Sequence, residues 1–227
     1  MKFDVAKMQI FGNSNVGVYM FANDKVALVP AGLDQKDKQL IQDILQVDVY
    51  EVTVMGTRLI GVLVAGNNNG ILLPSTITDD ELTLLKEYVG DKLNIAVLPS
   101  STNNAVGNLV AANSHAALAF PGLDNESIKV ISDTLDVEVV KRPISGITTI
   151  GAVVAVTDIG GLTHPDASDE ELEFLRDLFK VPFKTGTINF GVSFVKTGLV
   201  VNNKGAIVGS NTSGPEIARI QTVFSGL

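Results

Sequence analysis

The chain has 227 residues, of which 45% are hydrophobic and 19% charged, with 21 glycines and a formal net charge of −8. It contains neither cysteine nor tryptophan; this excludes disulfides, thiolate metal sites, iron–sulfur clusters and a cysteine nucleophile, and leaves base-stacking platforms poorly supplied. An acidic chain also lacks the basic face that wraps nucleic acid, so a main grip on basic protein is expected and DNA is not a partner.

The opening, MKFDVAKMQIFGNSN, places Asp4 and Lys7 where a secretory leader needs an unbroken apolar stretch, and no run reaches membrane-spanning length. A soluble, cytoplasmic protein is expected. Residues 3–10 read as a strand. The following GNSNVG (12–17) superficially evokes a phosphate loop, but it has no Lys-Ser/Thr ending and is expected to precede a strand, not a helix.

From Gly17 a unit repeats. A glycine heads a short apolar run at Gly17, Gly61, Gly107, Gly151 and Gly198, at intervals of 44, 46, 44 and 47 residues, which is the signature of a repeat architecture. Each run leads into a polar turn (22–25, 66–70, 113–115, 158–161 and 202–205) rich in Asn and Gly, which accept positive φ cheaply and suit hairpins. A second apolar run stops at Pro30, Pro74, Pro121 and Pro165, with Gly209 in the fifth copy; proline lacks the donor that a central strand requires.

Helices are predicted next. Thr78 with Glu81, Ser168 with Glu171 and Ser213 with Glu216 form capping boxes, and Asp34 and Asp124 are looser equivalents. Each helix shows one apolar face, for example Leu82, Leu85 and Val89, or Leu172, Leu175 and Phe179. An alternating strand follows each of the first four helices. None follows the fifth, so the strand at 3–10 is expected to complete the last unit. The expected fold is α/β, a single domain over 1–227: a closed ring of five pseudo-symmetric βββα modules near 17–60, 61–106, 107–150, 151–197 and 198–227, the last closed by 1–16. Such a ring needs no second copy, and a monomer is expected.

A ring of this kind resembles the pentein fold, an α/β propeller. Its guanidine-modifying enzymes use a cysteine nucleophile, which this chain lacks. The segments GNNNGILLP (66–74), AVGNLVAANSHAAL (105–118), GGLTHP (160–165), GTINFGVSFVKTGLVVNNKGAIVG (186–209) and TSGPEIARIQTVF instead resemble translation initiation factor 6 of archaea and eukaryotes, along the whole chain. The absence of the eukaryotic C-terminal tail suggests an archaeal version. The resemblance implies a non-catalytic protein without cofactor or metal. It would bind the joining face of the large ribosomal subunit, through ribosomal proteins near the sarcin–ricin loop with minor ribosomal RNA contact. There it would block the small subunit sterically; eukaryotic members also take part in large-subunit maturation. A non-ribosomal adaptor holding a protein or small ligand in the ring, or a pentein enzyme with another nucleophile, are the alternatives.

Equivalent polar residues beside the anchoring glycines should gather at one end of the ring. Asn13, Asn15, Arg58, Asn103, Asn104, Asn108 and Asn189 are the candidate ribosome-facing residues, with Thr148 and Thr149 in the fourth module. By resemblance Gly17, Gly107 and Asn108 match a family segment associated with subunit binding, whereas Val62 departs from an Arg of eukaryotic members. His164 is expected to bond local backbone, His115 to lie in a solvated turn, and the acidic run at 169–173 to serve a helix start.

Overall fold

The structure is a computed structural model and describes residues 3–99 and 104–226. The chain enters as β1 (Asp4–Met8), makes one helical turn α1 (Val16–Tyr19), and runs through the hairpin β2 (Phe21–Ala22) and β3 (Val26–Pro30). It crosses through α2 (Gln35–Leu45) and returns as β4 (Asp48–Val52), parallel to β3. The plan repeats as α3 (Ile60–Leu63), β5 (Ala65–Gly66), β6 (Gly70–Leu73), α4 (Asp79–Val89) and β7 (Asn94–Val97). A third unit comprises α5 (Val106–Leu109), β8 (Val110–Ala112), β9 (Ala116–Ala119), α6 (Asn125–Leu135) and β10 (Glu138–Lys141). A fourth comprises α7 (Ile150–Val153), β11 (Val154–Val156), β12 (Gly161–Thr163), α8 (Asp169–Phe179) and β13 (Phe183–Thr185). The last has a 3-10 turn (Val195–Gly198), β14 (Leu199–Val201), β15 (Gly205–Gly209) and α9 (Gly214–Phe224).

The described strands form five three-stranded sheets, and the third strand of the last is β1. It pairs parallel with β15, Asp4 opposite Gly205 through Met8 opposite Gly209. Phe3 stacks on Phe224 with ring centroids 6.4 Å apart, so the first and last elements share one core cluster. The middle strands β3 and β6 are buried at every residue, as continuous apolar runs covered on both faces should be. The outer strands β4 and β10 are only half-buried.

The capping boxes form as the sequence predicts at Thr78, Ser168 and Ser213. Asp124 accepts the N–H of Ser127 at 2.7 Å, whereas Asp34 occupies its N-cap without a side-chain bond. The apolar faces turn inward: Ile41, Leu45, Leu85, Val89, Ile131, Leu175, Phe179, Ile220 and Phe224 are buried, each worth ~1.5–3 kcal/mol as removal from water.

Two expectations are corrected. The anchoring glycines do not open strands; Gly17, Gly61, Gly107 and Gly151 are each the second residue of a single helical turn, so GNSNVG also runs into a helical turn and not directly into a strand. The backbone is tight there: a Cβ on Gly61 would lie 1.8 Å from the Gly17 carbonyl oxygen, one on Gly107 2.2 Å from that of Gly61, and one on Gly151 2.0 Å from that of Gly107. The fifth equivalent is not Gly198. Val18, Val62, Asn108 and Ala152 donate their N–H to Asn15, Leu59, Ala105 and Thr149, and Thr197 donates to Phe194. That register sets Lys196, one residue earlier, in the place of the glycines, and a Cβ on Gly17 would lie 1.9 Å from its carbonyl oxygen.

Candidate interaction surface

The site begins with tight turns that the sequence did not reveal. Four two-sided bridges, Ile10–Asn13, Val54–Thr57, Ile144–Ile147 and Ile188–Val192, each precede a helical turn. In the first three, both central residues have positive φ: Phe11 and Gly12, Met55 and Gly56, Ser145 and Gly146, the backbone of a type I′ hairpin. The last holds Asn189, Phe190 and Gly191 at φ 50°, 64° and 102°. A left-handed Phe or Met is unusual, and here carboxylates hold the turns. Glu81 accepts the N–H of Met55 at 2.9 Å and of Gly56 at 2.8 Å; Glu171 accepts that of Ser145 at 2.7 Å; Glu216 accepts those of Phe190 at 3.1 Å and Gly191 at 2.9 Å. These are the capping-box glutamates, each bonding its own N-cap backbone as well. The acidic run at 169–173 thus has the structural use its sequence suggests.

Burial of Glu216 would raise its pKa, but N–H and hydroxyl donors from Ser213, Thr187 and Gly191 outweigh it and hold the carboxyl down to about 2. Glu81 moves in the same direction: burial opposes, and donors from Gly56, Thr78, Thr53 and Met55 prevail.

Among the described residues, the exposed large apolar side chains are Phe11, Leu59, Phe190, Val192 and Phe194, with Phe190 82% exposed. All lie in these turns or directly after them, in the first, second and fifth units. Contacts link the turns of the second and fifth units to the first. The Arg58 guanidinium sits 4.7 Å from the centroid of the Phe11 ring, and Phe11 meets Tyr19 edge-on at 5.8 Å. Asn189 Nδ2 donates to the Ser14 carbonyl at 2.9 Å and to Asn15 Oδ1 at 3.2 Å.

The candidate residues therefore divide. Asn13 and Arg58 are exposed, and Asn15 and Asn108 are half-buried. Asn104 is half-buried on the third unit, with its Oδ1 accepting from Ser75 Oγ at 3.3 Å. Gly17 and Gly107 are buried against neighbouring backbone, and Asn189 is buried and bonded to Ser14, Asn15 and Thr212. Asn103 lies outside the described residues. What sequence reasoning missed is the apolar component. Phe-Gly at 11–12 and at 190–191 carried the signal, because a large apolar residue inside a glycine turn has no core to enter. His164 behaves as expected, accepting the Asp166 N–H at 3.2 Å.

The opposite hairpins carry a second set of contacts. Asn23 Nδ2 donates to the Asn67 carbonyl (2.8 Å), Asn67 to that of Asn113 (2.9 Å), Asn113 to that of Thr157 (3.1 Å), and Asn202 to that of Asn23 (3.0 Å). Thr157 has no amide, and the Asp158 N–H makes the remaining link, to Asn203 Oδ1 at 3.1 Å.

Among the described residues no group of His, Cys, Asp and Glu is placed to hold a metal ion, and no helix is long and apolar enough to cross a membrane. The molecule is thus a repeat-built α/β protein whose exposed apolar chemistry is concentrated on tight turns. A family model described as the eIF-6 family matches residues 5–223. Translation initiation factor 6 of Staphylothermus marinus is 44% identical over 224 residues, covering 98% of each chain. That of Aeropyrum pernix is 48% identical over 227 residues, covering 99% of this chain and 96% of its own. That of Saccharolobus islandicus is 43% identical over 219 residues, covering 96% and 97%. Among solved structures, the N-terminal domain of ArgZ overlaps 76% of this chain and 67% of its own at a TM-score of 0.47 and 12% identity, a likeness too loose to carry an argument. The chain belongs to the eIF-6 family, a family of translation factors and not of enzymes.

Proposed function

We propose that this chain is a cytoplasmic translation initiation factor that binds the large ribosomal subunit as a monomer and keeps the small subunit away by occupying the surface the two would share. The reading rests on family membership along nearly the whole chain. The observation that carries it is the set of exposed apolar side chains Phe11, Leu59, Phe190, Val192 and Phe194 on or after the turns of three units, with Arg58 against Phe11. Exposed apolar groups on linked turns, with an Arg against an aromatic ring, suit an anchor for a protein partner. The net charge of −8 favours a basic one, such as ribosomal protein. Asn13, Asn15, Asn104 and Asn108 supply a polar rim, and Gly17, Gly107 and Asn189 support the turns from beneath.

The same reading takes the five units as a closed pentein ring with module boundaries near 17, 61, 107 and 151. Support comes from the pairing of β1 with β15 and from the packing of the 3-10 turn at 195–198 against α1 and α7. A rigid ring suits a steric blocker, since nothing in occlusion requires turnover. A light-scattering assay of subunit joining tests the function. Added protein should lower the yield of joined ribosomes in proportion to its occupancy of the large subunit; an unchanged yield at saturation would refute it.

A further inference from the structure

Lys196 stands where four other units place glycine; it is half-buried by its exposed area and lines a cavity of about 50 Å³, room for a few water molecules. The side chains of the other lining residues are apolar, and one equivalent position of all five units contributes: Phe21, Ala65, Ala111, Ala155 and Val200. Lys196 has no hydrogen-bond or ion-pair partner among the described residues. No charged residue occurs in the elements packed around its turn, α1, α7, β11 and β14. Asp24 and Asp158 line a separate polar pocket; residues 22, 66, 112, 156 and 201, all Ala, Gly or Val, border both cavities. Those two carboxylates are already bonded to Asn68, Asn203 and Ser114.

We propose that Lys196 is a nucleophilic amine that captures small aldehydes inside this cavity. An ammonium without a counter-charge is costly in such surroundings, and burial lowers the pKa of Lys196 from 10.5 to about 8. Near neutrality a usable fraction is therefore free amine, the form that attacks carbonyl carbon. The nitrogen lone pair forms the C–N bond, the carbonyl oxygen takes up protons and leaves as water, and the nitrogen loses its remaining protons. Amine and aldehyde thus give an imine and one water, with no oxidant or metal. The cavity volume restricts the aldehyde to a few carbons.

The test uses the intact protein with propanal and cyanoborohydride, which delivers hydride to the imine and fixes it as a secondary amine. Peptide mass spectrometry then compares Lys196 with Lys129, whose side chain is 75% exposed. At neutral pH Lys196 should be labelled about tenfold faster or more, with a rate that levels off above about pH 8 while that of Lys129 keeps rising. Labelling no faster than at Lys129, or a pH profile parallel to it, would overturn the proposal. A bulky aromatic aldehyde should abolish the preference; a preference that survives would place the reaction outside the cavity and equally overturn it.

Discussion

The carboxylate of Glu216 is bonded to the backbone N–H of Phe190, 26 residues before it, while also capping its own helix through Ser213. Met55 with Glu81, and Ser145 with Glu171, repeat that relationship at the same separation. One side chain thereby joins the start of a helix to the strained turn that displays an exposed residue.

Removing this carboxylate should damage fold and surface together. Glu216→Ala leaves the donors of Ser213, Thr187, Phe190 and Gly191 without their acceptor. Hydrogen bonds to a charged group are worth about 1.5–3 kcal/mol each and are only partly replaced by water. A loss of roughly 2–4 kcal/mol is expected, lowering Tm by roughly 5–15 °C in a calorimetric scan. An unchanged Tm would show that the turn needs no such anchor.

Acid should reproduce part of that effect. The folded pKa of Glu216 is held at about 2, below its usual 4.5. Its stabilisation is therefore complete above the unfolded pKa and drains away as pH falls from about 5 to about 2. Glu81 shifts in the same sense. Denaturant midpoints over that range should fall more steeply for the natural chain than for Glu216→Gln; equal slopes would remove Glu216 from the acid response.

Much of this architecture was legible because the repeat writes the same physics five times: capping boxes, asparagine hairpins and apolar helix faces all fell where the sequence placed them. The register of the fifth unit was not. Gly198 is the glycine nearest the expected position, and it is needed for another reason, since a Cβ there would meet Asn189 and Ile188 at 2.6 and 2.7 Å. Lys196 takes the equivalent place without any compositional clue. The surface was half legible: polar residues were noticed, among them Asn189, which is buried, but the phenylalanines at 11, 190 and 194 were not singled out. At Phe190 the turn geometry, held by Glu216 from 26 residues away, turns the side chain outward.

The role of β1 is open to a direct test. Deleting residues 1–11 removes the partner of β15 and the Phe3 ring that stacks on Phe224. If the units close on one another, the whole fold should lose stability, with a single transition at clearly lower temperature by circular dichroism. A truncated chain that melts with the intact one would leave the five sheets as an open array.

At the surface, Phe190→Asp and Arg58→Glu should each weaken binding to large subunits about tenfold or more. Both positions are exposed, so stability should move by no more than about 0.5 kcal/mol. Asn108→Glu should weaken binding in the same way. Fluorescence anisotropy with labelled protein measures all three. Unaltered affinity in the Phe190 and Arg58 variants would move the contact face elsewhere.

Co-sedimentation with separated ribosomal subunits bears most directly on the central claim. The protein should pellet with the large subunit at equimolar saturation and stay in the supernatant with the small one. Equal recovery with both subunits, or with neither, would contradict the account.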